Sequence, residues 1–483
     1  MARRAFLSGS ILFAVLAIVH PSSAPAQSPG GWPVTFEADL RLSDQPFTRA
    51  VHQREPTIAV NPKDSLNLVA GFFDRLPSVP DRVCRVTFTR DGGKTWTLAG
   101  FVPKQNPNNG CGDPSLAADL EGSFYYAYLE SNIAPDGSLL TTDIGVARST
   151  DGGATFPTAT IAFRGTTSPF LDSDKPYVAV DTRPKSRFRG TIYLSWSLFN
   201  GSGIQIVVQS SKDRGATWSP PVAISPVRGG DTEQNVQFSL PVVAPDGTAY
   251  VFYMDYDRAL LTSGLNLRYV RSTDGGRRWS KPITALGALP SPGSATLRNA
   301  DRDYGIKPGN RGIIVFSYPS VAIAPDGTIY VAWIDYPSGS CGRFEFDLRP
   351  HCENSDLRLS VSRDAGKTWS APVKVTDETN DSDQFLHWIA VHPDGLVSLV
   401  WLDKRLDPLN ENFDAFYTNT RDGKTFLPNV RLSSVSSEIG TFINVGDYNN
   451  IAATAAGAFP IWGDLRSATD LEVFTATGDL APR

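Results

Sequence analysis

The residues able to do chemistry in this chain stand at the two ends of short apolar segments. Arg54, Glu55, Asp113, Asp174, Lys175, Tyr318, His387 and Tyr448 come just before such segments. Asp74, Arg75, Glu130, Asp255, Asp335, Asp403, Arg405, Asp464 and Arg466 come just after them. Carboxyl groups can move protons, arginine grips a carboxylate through two parallel N–H bonds, and a phenol can act as nucleophile or base. Brought together, such a set suits a polar or anionic sugar. Each residue also has a plainer use: an arginine beside an aspartate can tie neighbouring segments, a tyrosine can fill a core, and an aspartate can cap its own turn.

Metal chemistry is not expected. There is no CxxC, and His52, His351, His387 and His392 show neither HxxxH nor HExxH spacing. The acidic run at residues 377–383 is rich in oxygen ligands but lacks the ordered spacing of a calcium loop, and reads as a solvated connection. No other cofactor is implied.

The elements that must position these residues come from a repeat. A pattern Ser/Thr-x-Asp-x-Gly-x-Thr-Trp/Phe, with small variations, recurs around Asp91, Asp151, Asp213, Asp274, Asp364 and Asp422, at spacings of 60, 62, 61, 90 and 58 residues. Such a period marks one supersecondary unit copied along the chain, with an insertion before the fifth copy. The pattern itself is turn chemistry: the carboxylate can accept backbone N–H bonds, glycine supplies positive φ, and the aromatic packs beneath the hairpin. Six copies cannot share one site, so its role is structural.

Each copy joins two strands, and two more strands linked by a Pro-Asp-Gly type turn precede it, as at residues 319–333. The unit is therefore four antiparallel strands, A to D. The A–B pair can be counted separately and occurs seven times, the last at residues 448–464, after which one C strand follows and the chain ends. The missing D strand is found at the other terminus, where residues 36–44 resemble residues 427–434, the D strand of unit six. The expectation is an all-β, seven-bladed β-propeller over residues 27–483, closed by an N-terminal strand, with a six-bladed ring plus an appendage as the alternative.

The repeated turns are similar to the Asp-boxes, or bacterial neuraminidase repeats, of the sialidase-like superfamily. The segments Glu55-Pro-Thr-Ile, Asp174-Lys-Pro-Tyr and Gly446-Asp-Tyr-Asn resemble a group of exported bacterial members. The resemblance implies function on the face opposite the Asp-boxes, at A-strand starts and B-strand ends. It implies three arginines on a substrate carboxylate, a tyrosine nucleophile activated by a glutamate, and an aspartate acid/base. Carried over, these become Arg54, Arg405 and Arg466, with Tyr448 as nucleophile, Glu130 as its partner and Asp113 as acid/base. Lys175, His387 and Tyr318 would complete the substrate-binding set. Glu55 departs from the family's Arg-Ile-Pro pattern and puts an acid beside the expected carboxylate site.

The activity so implied is an exo-glycosidase, of exo-α-sialidase type, removing terminal acidic sugars from glycans. One alternative is a polysaccharide lyase on uronates, in which Tyr318, Tyr448, His387 and Lys175 would matter most. Another is a propeller that binds glycan or protein without catalysis.

Composition agrees with a large β domain: 41% hydrophobic residues, 41 Gly and 36 Pro exclude a disordered or coiled-coil chain. Residues 1–26 read as a signal peptide, with Arg3-Arg4, an apolar run at 11–19 and Ala24-Pro25-Ala26 as cleavage site; both an ordinary and a twin-arginine export signal fit. Past it the chain holds 43 Lys+Arg against 50 Asp+Glu, which disfavours nucleic acid, and no stretch is long enough to span a membrane. A periplasmic or secreted monomer is expected. Four cysteines in such a chain should be bridged. Of three possible pairings, locality favours Cys84 with Cys111 and Cys341 with Cys352.

Overall fold

The alternation of apolar residues becomes strand from end to end. The computed structural model describes residues 31–42, 52–75, 82–166, 172–201, 203–229, 234–257, 264–291, 294–297, 313–336, 341–344, 347–439, 444–467 and 470–481. Residues 1–26, expected to be a signal peptide, and the part of the insertion around 299–304 lie outside them. Seven antiparallel sheets follow one another as the blades of a propeller. Their inner A strands are Arg54–Asn61, Gly110–Ala118, Ser173–Val180, Gln234–Val243, Ser320–Ile323, Gln384–Val391 and Asn450–Ala453.

The ring closes between the termini. In blade 7 the C strand Glu472–Thr475 pairs with Leu40–Arg41, which supplies the fourth strand. A second clasp follows, Val34–Phe36 against Gly478–Leu480, and the latter also pairs with Gly457 and Ala458. Trp32 adds a bond from its indole N–H to the Ala481 carbonyl. Closure completes blade 7, and the blades keep only their outer strands as edges.

The core lies within and between blades. Trp196, Trp333, Trp401 and Trp462, all on B strands, are fully buried. Two disulfides staple the fold, in keeping with an oxidising compartment. Cys84–Cys111 links the C strand of blade 1 to the A strand of blade 2, and Cys341–Cys352 closes a hairpin. That hairpin joins Ser294–Leu297 and Ile313–Phe316 in a small extra sheet, which is where the insertion before the fifth Asp-box goes. Among the described residues no helix is long and apolar enough to cross a membrane.

The Asp-boxes are the C-to-D turns. In blade 5 the Thr368 N–H and hydroxyl donate to the two oxygens of Asp364 at 2.9 and 2.6 Å, while the Ser362 hydroxyl donates to Asp364 and accepts from the Gly366 N–H. The bonds from Thr368 hold the exposed Asp364 carboxyl down at about 2, and Thr217 does the same for Asp213. Every copy spends its aspartate in this way, as turn chemistry requires.

Candidate functional site

A-strand starts, B-strand ends and C-strand starts share the face opposite the Asp-boxes, as the strand registers dictate: Arg54 pairs with Phe73, and Asp74 with Val83. On this face the inner strands of blades 1, 2, 3, 4 and 6 each carry a β-bulge at the same register. The bulged residues Glu55, Asp113, Lys175, Phe238 and Leu386 all have left-handed φ, between 48° and 56°. Bulges re-aim side chains, and non-glycine residues are held in this region only where the surroundings enforce it. In blades 1, 2 and 3 the bulged residue is charged and precedes a proline.

These three charges meet. Glu55, Asp113 and Lys175 are 6%, 7% and 4% exposed. The Lys175 N–H donates to Asp113 Oδ2 at 3.0 Å, and its ammonium pairs with Asp447 and lies 3.9 Å from Asp174. The same Nζ sits 4.8 Å over the Phe238 ring and 5.5 Å over that of Phe316. Gly446, with φ of 103°, lets blade 7 approach blade 1: a Cβ there would stand 3.1 Å from the Glu55 nitrogen.

Electrostatics separates the carboxyls. Burial, with the Asp113 and Asp447 charges nearby, pushes Glu55 well above the usual carboxylate range, and burial does the same to Asp174. Asp113 goes the other way: against the burial that would raise it, the Lys175 ammonium and hydrogen bonds from Asp174 and Glu55 hold it low. Lys175 stays charged, because its carboxyl neighbours outweigh its own desolvation. These directions favour a proton on Glu55 and Asp174 and a charge on Asp113 beside them. Divergent pKa values in adjacent buried groups are the usual arrangement of an acid and a base.

Aromatic side chains form the other wall. Tyr177, Trp388 and Tyr448 pack around one another at 5.5 to 6.2 Å, and Tyr318 stacks on His387 at 4.7 Å. The Tyr448 hydroxyl donates to the Pro114 carbonyl at 2.9 Å, and that of Tyr318 to the His387 carbonyl at 2.7 Å. Burial holds both phenols well above their ordinary value. His387 meets the Ala332 carbonyl, and burial lowers it to about 4, so it is neutral.

Of the residues singled out from sequence, Asp113, Lys175, Arg54, Tyr318, His387 and Tyr448 are brought to the inner strands' entrance. Three are not. Glu130 is fully buried and accepts from the Gln105 and Asn106 N–H groups and from Asn109, shaping the loop before blade 2; it does not reach the Tyr448 hydroxyl. Arg405 binds Asp403, Asp377, Glu378 and Asn429 and stacks on Phe416. Arg466 binds Asp464 and Asp39 and lies 3.8 Å over Phe474. Both arginines are therefore ties to neighbouring strands. The acidic run at 377–383 is used in the same way, since Asp383 also takes Lys404.

The arginine cluster that does form is local to blade 1. Arg54, at the A start, feels the charges of Arg75 at the B end and Arg82 at the C start; burial is the larger cause that lowers its pKa. Its Nε is buried and has no hydrogen-bond partner among the described residues. The meeting of Glu55 and Asp447 around Lys175 was not foreseen from sequence. A usable signal existed: a charged residue before proline at the same repeat register in three successive blades.

No protein-family model matches the chain, and no curated protein matches it in sequence. Solved structures resemble it distantly. A polysaccharide lyase of family PL25, an ulvan lyase, superposes with a TM-score of 0.52 at 11% identity, over 90% of this chain and 95% of that one. The GH93 α-L-arabinofuranosidase of Fusarium graminearum with arabinobiose gives 0.47 at 12% identity, over 92% and 97%. A Hadza microbial sialidase gives 0.44 at 16%, over 86% and 74%. The likeness is one of fold.

Proposed function

We propose that the protein is a glycoside hydrolase that removes terminal acidic sugars from glycans. The observation that carries this reading is the buried group of Glu55, Asp113 and Lys175 on three successive bulges, in which burial raises Glu55 and Lys175 holds Asp113 low, with Arg54 next to Glu55. In this reading Glu55 gives its proton to the leaving glycosidic oxygen. Asp113 stabilises the positive charge that grows on the sugar ring or takes the proton of the attacking water. Arg54, with Arg75 close by, receives the sugar's carboxylate, and the Tyr177, Trp388 and Tyr448 wall holds the apolar face of the ring. A tyrosine nucleophile at Tyr448 would first have to give up its bond to Pro114, which favours the carboxyl pair.

The test is release of fluorophore from a 4-methylumbelliferyl N-acetylneuraminide and glucuronide by purified protein. Glu55→Gln is expected to lower kcat by about 100-fold or more, and Arg54→Ala to raise KM. No release by folded protein sinks the reading. One observation favours a second reading: the Tyr177 hydroxyl is buried within the site and has no hydrogen-bond partner among the described residues. It could protonate or deprotonate a uronate in a lyase reaction. An unsaturated, ultraviolet-absorbing product from polyuronate would put that reading first.

A further inference from the structure

The opposite face of the ring carries a feature that the mouth does not explain. The connection between the A and B strands of blade 3 covers residues 181–191, against 119–123 in blade 2 and 244–248 in blade 4. It overhangs a cleft of about 510 Å³ on the Asp-box side. Five cations from two blades line this cleft: Arg187 and Arg189 from the long connection, Lys212 and Arg214 from the third Asp-box, and Arg277 from the fourth. Arg187 also borders a second cleft of about 640 Å³ lined by Arg271, Arg278 and Trp279 together with Asp246 and Asp274.

Three acids share the first cleft with the five cations and leave it with a positive excess. Asp119 accepts from the Glu121 and Ser123 N–H groups and the Tyr125 hydroxyl, Asp181 from the Arg183 N–H and Ser186, and Glu121 lies 3.6 Å from Lys63. Among the described residues, Arg189, Lys212, Arg214 and Arg277 have no ion-pair partner.

Arg214 is the most telling. The residue after the aspartate of each box is left-handed, with φ between 60° and 74°, and it is Gly92, Gly152, Gly275, Gly423, Ala365 or Arg214. Glycine takes that conformation without cost, and a side chain does not. Here the turn carries a long cation in glycine's place, directed into the cleft.

We propose that this cleft binds a segment of an acidic polysaccharide through its carboxylate or sulfate groups. Guanidinium groups match such planar or multidentate anions with paired N–H bonds. The site is concave, which excludes a flat membrane surface. The excess of acidic over basic residues in the chain would repel a long, densely charged duplex, whereas a flexible strand bearing one anion per sugar or so can reach only the cleft. The proposal does not depend on the chemistry of the mouth.

The test is fluorescence anisotropy of full-length mature protein with labelled dextran sulfate and labelled polygalacturonate, beside neutral dextran and a short DNA duplex. Binding of both acidic polymers, weakened by salt, with none to dextran, is expected. Arg214→Gly should weaken binding about tenfold without lowering Tm, since glycine suits the turn better, so misfolding cannot account for the loss. An Arg189→Ala/Arg277→Ala variant should weaken it further, and hydrolysis of a small fluorogenic glycoside should be unchanged in both. Failure of the wild-type protein to bind either acidic polymer, equal affinity in the variants, or DNA bound as tightly as the polysaccharides overturns the proposal.

Discussion

Replacing Lys175 with methionine tests the electrostatic account of the mouth. The lysine side chain is 4% exposed and its ammonium faces Asp447 and Asp174, while its N–H holds Asp113. Methionine keeps most of the volume and the contacts with Phe238 and Phe316, so packing loss is small. What remains is an ionised carboxyl cluster without its cation, and removing one partner of a buried pair costs about 3–5 kcal/mol. With an unfolding entropy of about 2.1 cal/mol/K per residue over about 450 residues, this is a fall in Tm of about 3–5 °C at neutral pH. The pH dependence has a definite sign. Without the ammonium, Asp113 should titrate above its unfolded value like Glu55 and Asp174, so the folded variant binds more protons than its unfolded chain between the two values. Its stability must then drop as pH rises. The deficit against wild type should be small at pH 4–5 and full by pH 7–8. Adding Asp447→Asn removes one of the stranded charges and should restore part of the loss. Differential scanning calorimetry from pH 4.5 to 8 on the wild type and both variants measures all of this. A variant within 1 °C of wild type across that range would refute the reasoning.

Arg405→Ala should cost stability and leave substrate KM unchanged, because its guanidinium serves the buried Asp403 and Glu378 and not the mouth; a fall of about 3 °C in Tm with unaltered kinetics is expected, and a raised KM would return it to the site. The Cys84→Ala/Cys111→Ala variant opens a loop of 27 residues between blades 1 and 2. Chain entropy puts the loss at about 3–4 kcal/mol, or about 3–4 °C. A thermal melt that is unchanged, and insensitive to reductant, would show that packing alone joins the two blades.

The architecture was legible because each blade repeats the same turn chemistry, so six weak signals reinforce one another. The closing strand was legible for the same reason: residues 36–44 resemble the D strand of blade 6, and Leu40–Arg41 takes that place. The additional clasp of Val34–Phe36 on Gly478–Leu480 had no repeat to betray it. At the site, position was readable but partnership was not. Asp113 and Asp447 are distant in sequence and meet around Lys175 only because the ring closes. Arg405 and Arg466 were the reverse case. Both follow an aspartate by two residues at the end of a B strand, in Trp-Leu-Asp-Lys-Arg and Trp-Gly-Asp-Leu-Arg. In both, the aspartate takes the arginine's backbone N–H, its guanidinium and the tryptophan N–H. That is a local knot, legible in sequence as a repeated triad, and its recurrence in two blades argued for structure over substrate.

Recurrence also distinguishes scaffold from site among the bulges. Five inner strands have the same left-handed residue at the same register, each at a strain of about 1–3 kcal/mol. Since Phe238 and Leu386 adopt it as apolar residues, the bulge belongs to the ring and needs no substrate to explain it. What varies is the side chain it presents: an acid in blades 1 and 2, a cation in blade 3, and apolar groups in blades 4 and 6. The mouth is thereby polarised, with proton-bearing groups on one side and aromatic rings from Phe238 round to Trp388 on the other. Under the proposed function, a sugar is expected to bind with its charged substituent toward Arg54 in blade 1 and its ring face on Tyr177, Trp388 and Tyr448.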